Sequence, residues 1–448
     1  MFGLDLNGLT GEVVTRKNAE YKEARQEWNR AIQKFPLVIV YASSVQDVSN
    51  AVRWAVKHRI DLRIRSGSHH YEGYSTGNHV LVLDVSRLSS IKLDATANTL
   101  TAGGGVKNEQ IYEFAGKRGY PFPGGTCPTV GVSGYVLGGG WGYSSRYFGL
   151  GCDSLIGLEL INAEGDLIKA SKRENKDLFW ACKGAGGGNF GVVVSMTFRL
   201  PPKIRTVTLV HLYRPDASPE IIEQFLLTWQ KWLPRADRKI TISTTLYDSA
   251  AEGMAIFGRG FYYGAADEAK RILSPFAKIS GMELSAEEKP FSEAVREVEK
   301  SYPSSEKFKS TGRFVFKTYT PDEIRTLVEL IQNKPPGSIF AGLTVYALGG
   351  KVQEVKPNEK AFYYRNARYI AGIQSVWEED RYASVNQRWV VQRFRILASL
   401  TEGSFVNFPI SELPNYETAY YGANAERLRE VNDRYDPSRV FQFPQAIR

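Results

Sequence analysis

Glycine is distributed unevenly along this chain, and its clustering constrains the fold more than any other feature of the sequence. Among the 41 glycines, dense groups occupy Gly103–Gly105, Gly124–Gly151 and Gly184–Gly191. Glycine is favoured where the backbone must approach a ligand closely or adopt a positive φ, because a side chain would obstruct it. The N-terminal two hundred residues are therefore predicted to form a lobe that wraps around a flat or phosphorylated ligand.

The pattern of apolar residues predicts an α+β chain with two lobes. A chain of 448 residues is too long for one ordinary core, and Pro201-Pro202 mark the expected boundary after a strand at Val192–Leu200. Beyond it, helical periodicity alternates with strand-like runs, as expected for an antiparallel sheet covered by helices. The predicted segments are an N-terminal extension at residues 1–34, a first domain at 35–202, a second domain at 203–400 and a C-terminal segment at 401–448.

Local signals predict three features of the first domain. Ser44 is expected to cap a helix that continues to Lys57, and Asn108 is expected to cap a second helix. The pair Glu164-Gly165, between two apolar runs, predicts a hairpin.

The net charge, the N-terminal sequence and the number of cysteines restrict the class of protein. The net charge is +9, but the basic residues are dispersed among acidic ones, which disfavours a nucleic-acid-binding surface. The N-terminus lacks the pattern of a secretory signal, and no apolar segment approaches the ~18 residues of a membrane helix. The 3 cysteines do not make a disulfide framework. We expect a cytoplasmic or other intracellular protein without membrane or nucleic-acid partners; later deposition elsewhere, for example in a spore coat, stays open.

Two nucleophilic side chains stand in the most distinctive segments. His69 lies in Arg65–Gly73, directly after a predicted strand, and Cys127 lies in the glycine-rich loop Gly124–Gly131. A histidine and a cysteine in loops that wrap a ligand are suited to anchor a cofactor covalently.

Other roles for these two residues have weaker support in the sequence. His69 and His70 would point to opposite sides of an extended strand, and no acidic or cysteine residue joins them at ligand spacing, so we expect no metal. A structural histidine in a turn stays open. A catalytic thiolate at Cys127 stays open as well, although it leaves the glycine-rich loops unexplained.

One segment matches the glycine spacing of a dinucleotide-binding motif but lacks its structural context. Gly186–Gly191 matches G-x-G-x-x-G, a motif that needs a helix after it to receive the pyrophosphate. Val192–Met196 instead has the pattern of a strand, which argues against a Rossmann fold.

Four long motifs carry a resemblance to a known family. The segments Arg65–His69, Gly125–Gly142, Asp177–Gly191 and Tyr435–Ile447 are similar to those of bacterial berberine bridge enzyme-like flavoproteins, in the vanillyl-alcohol oxidase superfamily. The resemblance implies a PCMH-type FAD-binding domain at 35–202, to which the segment at 401–448 returns. The domain at 203–400 would then bind the substrate.

The resemblance also implies that FAD is attached twice, through its C8 methyl group to His69 and through C6 to Cys127. Both bonds would hold the ring and raise its reduction potential, which favours hydride uptake. Backbone N–H groups of Arg65 to Gly73 would cradle the pyrophosphate. The residues implied to bind FAD are Arg65, Ser66, Gly67, Ser68, His69, His70, Gly73, Gly125, Thr126, Cys127, Val130, Gly131, Ser133, Gly134, Tyr135, Gly138, Gly139, Gly140, Trp141, Gly191, Val193 and Asn407.

The implied activity is that of an FAD-linked oxidase. A substrate C–H bond would give a hydride to flavin N5 while a base removes an O–H or N–H proton. Valine three residues after the cysteine resembles the oxidases of the family, so Val130 implies that O2 accepts the electrons and becomes H2O2. The expected partners are O2 and a small molecule, namely a sugar, an oligosaccharide or another secondary alcohol. A tailoring oxidase that forms C–C or C–N bonds in natural products is the alternative, and the oligomeric state stays open.

The chain departs from the family pattern at positions that bear on chemistry. Ser68 stands where glycine is usual, and Tyr135 stands where histidine is frequent; its hydroxyl is still able to bond the ribityl chain. Phe405-Val406-Asn407-Phe408 replaces the usual Tyr-x-Asn-Tyr, and phenylalanine cannot abstract a proton.

Two residues are predicted to act in place of the missing tyrosine. Tyr364 is the candidate for the base or for a substrate hydrogen bond, with a packed tyrosine as its alternative. Asn407 is expected to steady the flavin or the substrate. The departure at Phe405 also leaves open a flavin-loaded structural or coat protein with little activity.

Overall fold

In the computed structural model, which describes residues 5–448, the first domain begins with a four-stranded sheet. Its strands are β1 (Glu12–Thr15), β2 (Val38–Tyr41), β3 (Leu62–Arg65) and β4 (Leu81–Asp84). They are arranged in the order β1-β2-β4-β3, with β4 parallel to both β2 and β3 and with β1 antiparallel at one edge. The end of β3 therefore delivers the chain to the segment that contains His69.

Two helices accompany this sheet, α1 (Tyr21–Ala24) and α2 (Val45–His58). The start of α2 is a capping box, in which the Ser44 side chain accepts from the backbone N–H of Asp47 and the Asp47 carboxylate accepts from that of Ser44. Arg59 ends the helix in the left-handed region, with φ of 54°. The helix predicted after Ser44 is confirmed.

A five-stranded antiparallel sheet completes the first domain. Its strands are β5 (Ile91–Asp94), β6 (Thr99–Gly103), β7 (Leu155–Ile161), β8 (Leu167–Ser171) and β9 (Val192–Arg199), in the order β5-β6-β9-β7-β8. The hairpin predicted at Glu164-Gly165 is confirmed, because β7 and β8 pair across it. The helices of this part are α3 (Asn108–Gly116), α4 (Val132–Leu137), α5 (Ser145–Phe148), α6 (Gly151–Ser154) and α7 (Lys176–Ala181).

The prediction that Asn108 caps α3 is wrong by one position. Lys107 occupies the N-cap, where its backbone N–H donates to the side chain of Gln110. The amide of Asn108 instead donates to the carbonyl of Cys127 at 3.0 Å. A side chain suited to local capping is thus used for a contact between loops.

The second domain is built on an eight-stranded antiparallel sheet. Its order is β13-β10-β12-β11-β15-β16-β14-β17. The strands are β10 (Thr206–Arg214), β11 (Ile240–Ser249), β12 (Gly253–Tyr262), β13 (Glu283–Pro290), β14 (Lys307–Val315), β15 (Ser338–Ala347), β16 (Tyr369–Trp377) and β17 (Glu402–Ser404).

Five helices belong to this domain, and several of them pack directly on the sheet. Along β11, Ile242 and Leu246 are buried in the core, while the alternate residues Ser243 and Thr245 line a cavity on the other face. The predicted antiparallel sheet with covering helices is confirmed. The helices are α8 (Pro219–Trp232), α9 (Ala266–Ala277), α10 (Phe291–Glu299), α11 (Pro321–Glu329) and α12 (Ala383–Leu400).

The C-terminal segment connects both domains. Its strand β17 extends the large sheet beside β14, and its helices are α13 (Tyr416–Tyr421) and α14 (Ala425–Tyr435). The Tyr421 hydroxyl donates to the carbonyl of Ala185 at 2.8 Å, and the Asn432 amide donates to that of Asn189 at 2.7 Å. The end of the chain is therefore fastened to the first domain.

The apolar core is continuous across the domain boundary. One cluster of buried residues extends from the five-stranded sheet through the eight-stranded sheet to Ile447, and a separate cluster lies between α2 and the four-stranded sheet. Within residues 5–448, no helix is both long enough and apolar enough to cross a membrane.

Candidate functional site

A cavity of about 680 Å³ lies between the glycine-rich loops of the first domain and the inner face of the eight-stranded sheet. This volume is within the range of roughly 300–1,000 Å³ that is typical of sites for cofactors and small molecules. Most of the predicted cofactor residues line it: Ser66, Gly67, Ser68, His69, His70, Gly125, Thr126, Cys127, Val130, Gly131, Ser133, Gly134, Tyr135, Trp141, Gly191, Val193 and Asn407.

Two loops of the first domain meet at a pair of glycines. A Cβ atom on Gly67 would lie 2.2 Å from the backbone nitrogen of Gly131, so neither loop could approach the other if Gly67 carried a side chain. The hydroxyls of Ser66 and Ser133 both donate to the carbonyl of Gly104, at 3.0 and 2.7 Å. These contacts hold the segment after β3 against the segment that contains Cys127.

Ser68 adopts a left-handed backbone conformation, with φ of 61°. That region favours glycine, because a Cβ atom crowds the backbone there. Its carbonyl accepts a hydrogen bond from the backbone N–H of Trp28 at 2.9 Å. Serine at this position is tolerated, but at a conformational cost that glycine would not incur.

His69 and Cys127 converge on one hydroxyl group. The Nε2 atom of His69 lies 2.7 Å from Oγ1 of Thr129, and the sulfur of Cys127 lies 3.8 Å from the same oxygen. Trp28 stacks on the imidazole, with ring centroids 4.9 Å apart. Thr129 engages Nε2, whereas Nδ1 has no hydrogen-bond partner within residues 5–448, and the His69 side chain lines the cavity.

The environment keeps both anchors neutral. Burial, with a smaller contribution from Lys107, lowers the pKa of His69 to about 3, so the imidazole keeps its lone pair at neutral pH. Burial raises the pKa of the Cys127 thiol despite the hydrogen bonds at Thr129. An activated cysteine nucleophile needs a lowered pKa and a base beside it, so this geometry disfavours the catalytic-thiolate alternative.

His70 has a separate environment from its neighbour. Its ring packs against Tyr74 at 4.6 Å between centroids, and its Nδ1 atom accepts from the backbone N–H of Glu72 at 3.2 Å. Within residues 5–448, no three His, Cys, Asp or Glu side chains come close enough together to hold a metal ion.

Asn407 fastens the C-terminal segment to α4. Its amide donates to the carbonyl of Tyr135 at 2.9 Å, and a Cβ atom on Gly138 would lie 1.8 Å from its side-chain oxygen. Gly139 and Gly140 are likewise pressed against the rings of Phe362 and Tyr135. Gly138–Gly140 therefore lie behind the cavity wall rather than in it, and they allow other groups to reach the wall.

Three further predicted cofactor contacts are directed elsewhere. The Tyr135 hydroxyl donates to the carbonyl of Pro123 at 3.2 Å, so the structure does not support its expected bond to a ribityl chain. Arg65 is buried in an ion pair with Asp84 at 2.5 Å and does not line the cavity. Gly73 packs on Ile32, where a side chain would collide.

The opposite wall is polar and aromatic, and sequence reasoning did not single out its residues. Pairs of alternate residues on four neighbouring strands line the cavity, because side chains alternate between the two faces of a sheet. In the sequence, these wall residues are indicated by polar residues at alternate positions of otherwise apolar strands. These residues are Ser243 and Thr245 of β11, Phe257 and Arg259 of β12, Thr344 and Tyr346 of β15, and Gln374 and Val376 of β16.

Loop residues complete this wall. Tyr302 approaches the first domain, where its hydroxyl lies 2.6 Å from that of Thr126, next to Cys127. Glu306 also lines the cavity, and burial raises its pKa to about 6. A carboxylate that titrates near neutral pH inside a cavity is a candidate for proton transfer.

Two family models match the chain. The model described as an FAD binding domain matches residues 36–171, and the model described as berberine and berberine like matches residues 404–448. The FAD-linked oxidoreductase YgaK of Bacillus subtilis is 35% identical over 448 residues, covering 98% of this chain and 97% of its own. The chain belongs to the berberine bridge enzyme-like FAD-linked oxidoreductases.

Other relatives of this berberine bridge enzyme-like protein include characterised structures. The BBE-like 1 protein of Physcomitrella patens superimposes with a TM-score of 0.90 at 26% identity, covering 98% of this chain and 96% of its own. Glucooligosaccharide oxidase from Acremonium strictum, which carries a 6-S-cysteinyl, 8α-N1-histidyl FAD, has a TM-score of 0.87 at 21% identity and covers 97% and 96% of the two chains. Among sequence relatives, the xylooligosaccharide oxidase of Thermothelomyces thermophilus is 28% identical and covers 97% of this chain and 92% of its own.

The family's missing tyrosine is not replaced by Tyr364. The ring of Tyr364 stacks on Phe314 at 4.6 Å, and its hydroxyl lies within hydrogen-bonding distance of the carbonyls of Thr418 and Ala419, at 3.1 and 2.8 Å. Burial raises its pKa to about 12, and it does not line the cavity. The geometry favours the packed-tyrosine alternative, whereas Phe405 does line the cavity and is 2% exposed.

The dinucleotide fingerprint of this berberine bridge enzyme-like chain is not a Rossmann motif. Gly186–Gly191 leads directly into strand β9, and no helix follows it. Gly186, Gly187 and Gly188 line the cavity instead. Because these glycines have no side chains, they leave space at the cavity wall. They do not lead into a helix whose N-terminus could receive a pyrophosphate.

Proposed function

We propose that the protein is an oxidase with FAD attached to both His69 and Cys127. It would oxidise a sugar, an oligosaccharide or another secondary alcohol and reduce O2 to H2O2. The observation that carries the proposal is the convergence of His69 and Cys127 on Thr129, at one cavity wall, within a chain that belongs to an FAD-linked family.

The residues of the first domain fit a large flat cofactor. A Cβ atom on Gly134 would meet nothing within 4 Å, and one on Gly187 would meet its nearest neighbour at 3.8 Å, so bare backbone faces the open cavity at both positions. Such backbone is able to lie directly against a planar ring or a phosphate chain. Bound FAD would supply the acceptor for a hydride and pass two electrons on to O2.

The surrounding side chains position the two anchors. Thr129 holds Nε2 of His69 and Trp28 stacks on the ring face, so Nδ1 is the nitrogen that we propose bonds the flavin. The Asn108 amide holds the carbonyl of Cys127, which fixes the backbone that carries the sulfur. Both anchors are thereby oriented before any bond forms, which lowers the entropic cost of attachment.

The sheet wall suits a polyhydroxylated substrate. Ser243, Thr245, Thr344 and Gln374 offer hydroxyl and amide groups, and Tyr346 and other rings offer faces for stacking. The presence of sugar oxidases among the fold relatives agrees with this substrate class.

Proton removal is assigned to Glu306 in place of the tyrosine that Phe405 lacks. When the substrate C–H bond breaks, its electron pair leaves as a hydride, the hydroxyl proton passes to the Glu306 carboxylate, and a C=O bond forms. A carboxylate with a pKa of about 6 is mostly ionised at neutral pH and is able to accept that proton. Val130 lines the cavity beside the cysteine loop, and because valine at this position resembles the oxidases of the family, we propose O2 as the electron acceptor.

The test begins with the purified protein after acid precipitation. A yellow pellet, with flavin on peptides that contain His69 and Cys127, is expected; flavin left in the supernatant would contradict double attachment. H69A and C127A should each retain a single linkage, while H79N, at an exposed histidine outside the cavity, should match the parent protein. Anaerobic bleaching by members of a sugar and alcohol panel, followed by O2 uptake, would support the oxidase; a flavin that no member reduces would favour the low-activity coat protein.

A further inference from the structure

We propose that Arg259 binds a carboxylate of the substrate, so that the oxidase acts on acidic sugars such as uronic acids and oligosaccharides that contain them. This inference rests on the proposed oxidase function and adds the substrate class. Arg259 belongs to β12 and faces the cavity from the sheet wall, although 92% of its surface is covered by the protein.

The guanidinium group of Arg259 lacks the partners that a buried cation requires. Its Nη2 donates to the hydroxyl of Ser301 at 2.9 Å, and that hydroxyl in turn donates to the carbonyl of Val298. Its Nε is buried without any hydrogen-bond acceptor within residues 5–448. The partners of this cation are thus neutral hydroxyl groups, of Ser301 and of the neighbouring Tyr143, and no anion in the described part of the chain compensates its charge while Nε stays unsatisfied.

Other buried arginines of the protein show what a satisfied group looks like. Arg146 donates to three backbone carbonyls, and Arg365 forms a bidentate ion pair with Asp153. Arg313 donates to Thr401 and Ser404. Among these four arginines, Arg259 is the one that combines a buried Nε without a partner and a position on the cavity wall.

The acidic side chains near Arg259 are engaged or distant. Glu297 is paired with Lys289 at 2.5 Å. Glu306 lines the same cavity, but no carboxylate within residues 5–448 lies within the 4.0 Å of an ion pair with Arg259. The missing anion is therefore expected to arrive with a ligand.

Arg259 lies close to the loop that contains the proposed flavin anchor Cys127. Tyr143 and Tyr302 flank it, and the Tyr302 hydroxyl lies 2.6 Å from that of Thr126, which precedes Cys127. Tyr302 therefore lies between the Arg259 guanidinium and the loop that contains Cys127. A substrate held there by its carboxylate would extend along the hydroxyl and amide groups of the sheet wall.

A carboxylate is the anion that this site fits. The planar fork of an arginine pairs with two coplanar carboxylate oxygens. The remaining wall has neutral donors and rings, with Ser243 and Thr344 in reach of hydroxyl groups. Carboxylate and hydroxyl groups occur together in a sugar acid.

The experiment compares matched sugars on the flavin-loaded protein. Anaerobic flavin reduction is measured with D-galactose against D-galacturonate and with D-glucose against D-glucuronate. The acid of a pair should react with an apparent second-order rate constant on the order of 100-fold above its neutral partner. R259Q should abolish that preference, so that the acid and the neutral sugar of a pair react at rates within about threefold of each other, and R238Q, which removes an exposed arginine paired with Glu354, should leave the preference intact.

A second measurement uses only the parent protein, so its result does not depend on whether a variant folds. Glutarate should perturb the visible spectrum of the parent protein at concentrations at which the neutral isostere glutaramide does not. Equal perturbation by both compounds would overturn the inference, and stronger perturbation by inorganic phosphate would replace carboxylate with phosphate as the anion.

The outcomes separate this inference from the proposed function. If no neutral or acidic sugar reduces the flavin, the sugar-oxidase proposal itself fails. If neutral sugars reduce it as well as acids do, and R259Q changes both equally, only the assignment of Arg259 is wrong.

Discussion

At the scale of single residues, the site differs from its family at the position where proton chemistry is expected. Phe405 is packed among Phe314, Phe362 and Phe408 and offers no titratable group. Tyr364, which the sequence predicts as the substitute for the missing tyrosine, directs its hydroxyl to backbone carbonyls of α13. Glu306 is left as a carboxylate on the cavity wall, brought there by the loop before β14.

The pH dependence follows from the raised pKa of Glu306. Because burial raises that pKa from 4.5 to about 6, the carboxylate is protonated and inactive as a base below pH 6 and ionised above it. The rate of anaerobic flavin reduction should therefore rise through an apparent pKa of about 6. E306Q should lose this limb and at least about 100-fold of the rate.

The control for this experiment is E359Q, at an exposed carboxylate outside the cavity lining. Its pH profile should match that of the parent protein. An unchanged limb in E306Q would assign proton removal to another group.

At the scale of elements, the flavin lobe depends on two loops that fit together only without side chains. Gly67 and Gly131 bring the segment after β3 within contact distance of the cysteine loop, and Ser66 and Ser133 share the carbonyl of Gly104. His69 and Cys127 reach the same threonine because of this fit.

Gly67→Ala tests the fit of the loops. The new Cβ atom would lie 2.2 Å from the Gly131 nitrogen, so the loops must separate. We expect loss of the double flavin linkage and a decrease of at least about 3 kcal/mol in the free energy of unfolding. Peptide mapping and denaturant titration measure the two effects.

Gly157→Ala is the matched control, because its Cβ atom would meet no neighbour nearer than 3.7 Å. It should keep both linkages and nearly all of the stability. Two intact linkages in Gly67→Ala would show that the loops adapt independently.

At the scale of the whole molecule, the cavity exists because three parts of the chain are held together around it. Lys309 of β14 pairs with Glu72 of the first domain at 2.6 Å and with Glu412 of the C-terminal segment at 2.9 Å. Lys309 and Glu72 are 10% and 11% exposed at the side chain, so this is a largely desolvated ion pair. Breaking it leaves a covered carboxylate without its cation.

Lys309→Met should lower the free energy of unfolding by about 3 kcal/mol, because Glu72 would lose its cation while staying covered. Lys307→Met, two residues earlier on the same strand, removes a pair with Asp380, whose side chain is 86% exposed. That control should cost less than about 1 kcal/mol. Equal losses in the two variants, measured by denaturant titration, would argue against a special role for the bridge.

Features that depend on contiguous residues were predictable from the chain alone. The helix after Ser44, the hairpin at Glu164-Gly165 and the glycine-rich character of the loops around His69 and Cys127 were predictable, because a cap, a turn or a cluster of glycines is specified within a few positions. The rejection of a Rossmann motif at Gly186–Gly191 followed in the same way, from the strand-like residues after it.

Only the tertiary structure decided which side chains share the cavity. Arg259, Tyr302 and Glu306 come from separate elements, and alternation along a strand indicates that two faces exist without telling which one lines a site. Arg65, Tyr135 and Tyr364 belong to cofactor-like or catalytic-like motifs, yet each finds a partner elsewhere in the fold. The physical reason is that side-chain direction and burial are set by packing between distant segments, whereas backbone conformation is set largely by near neighbours.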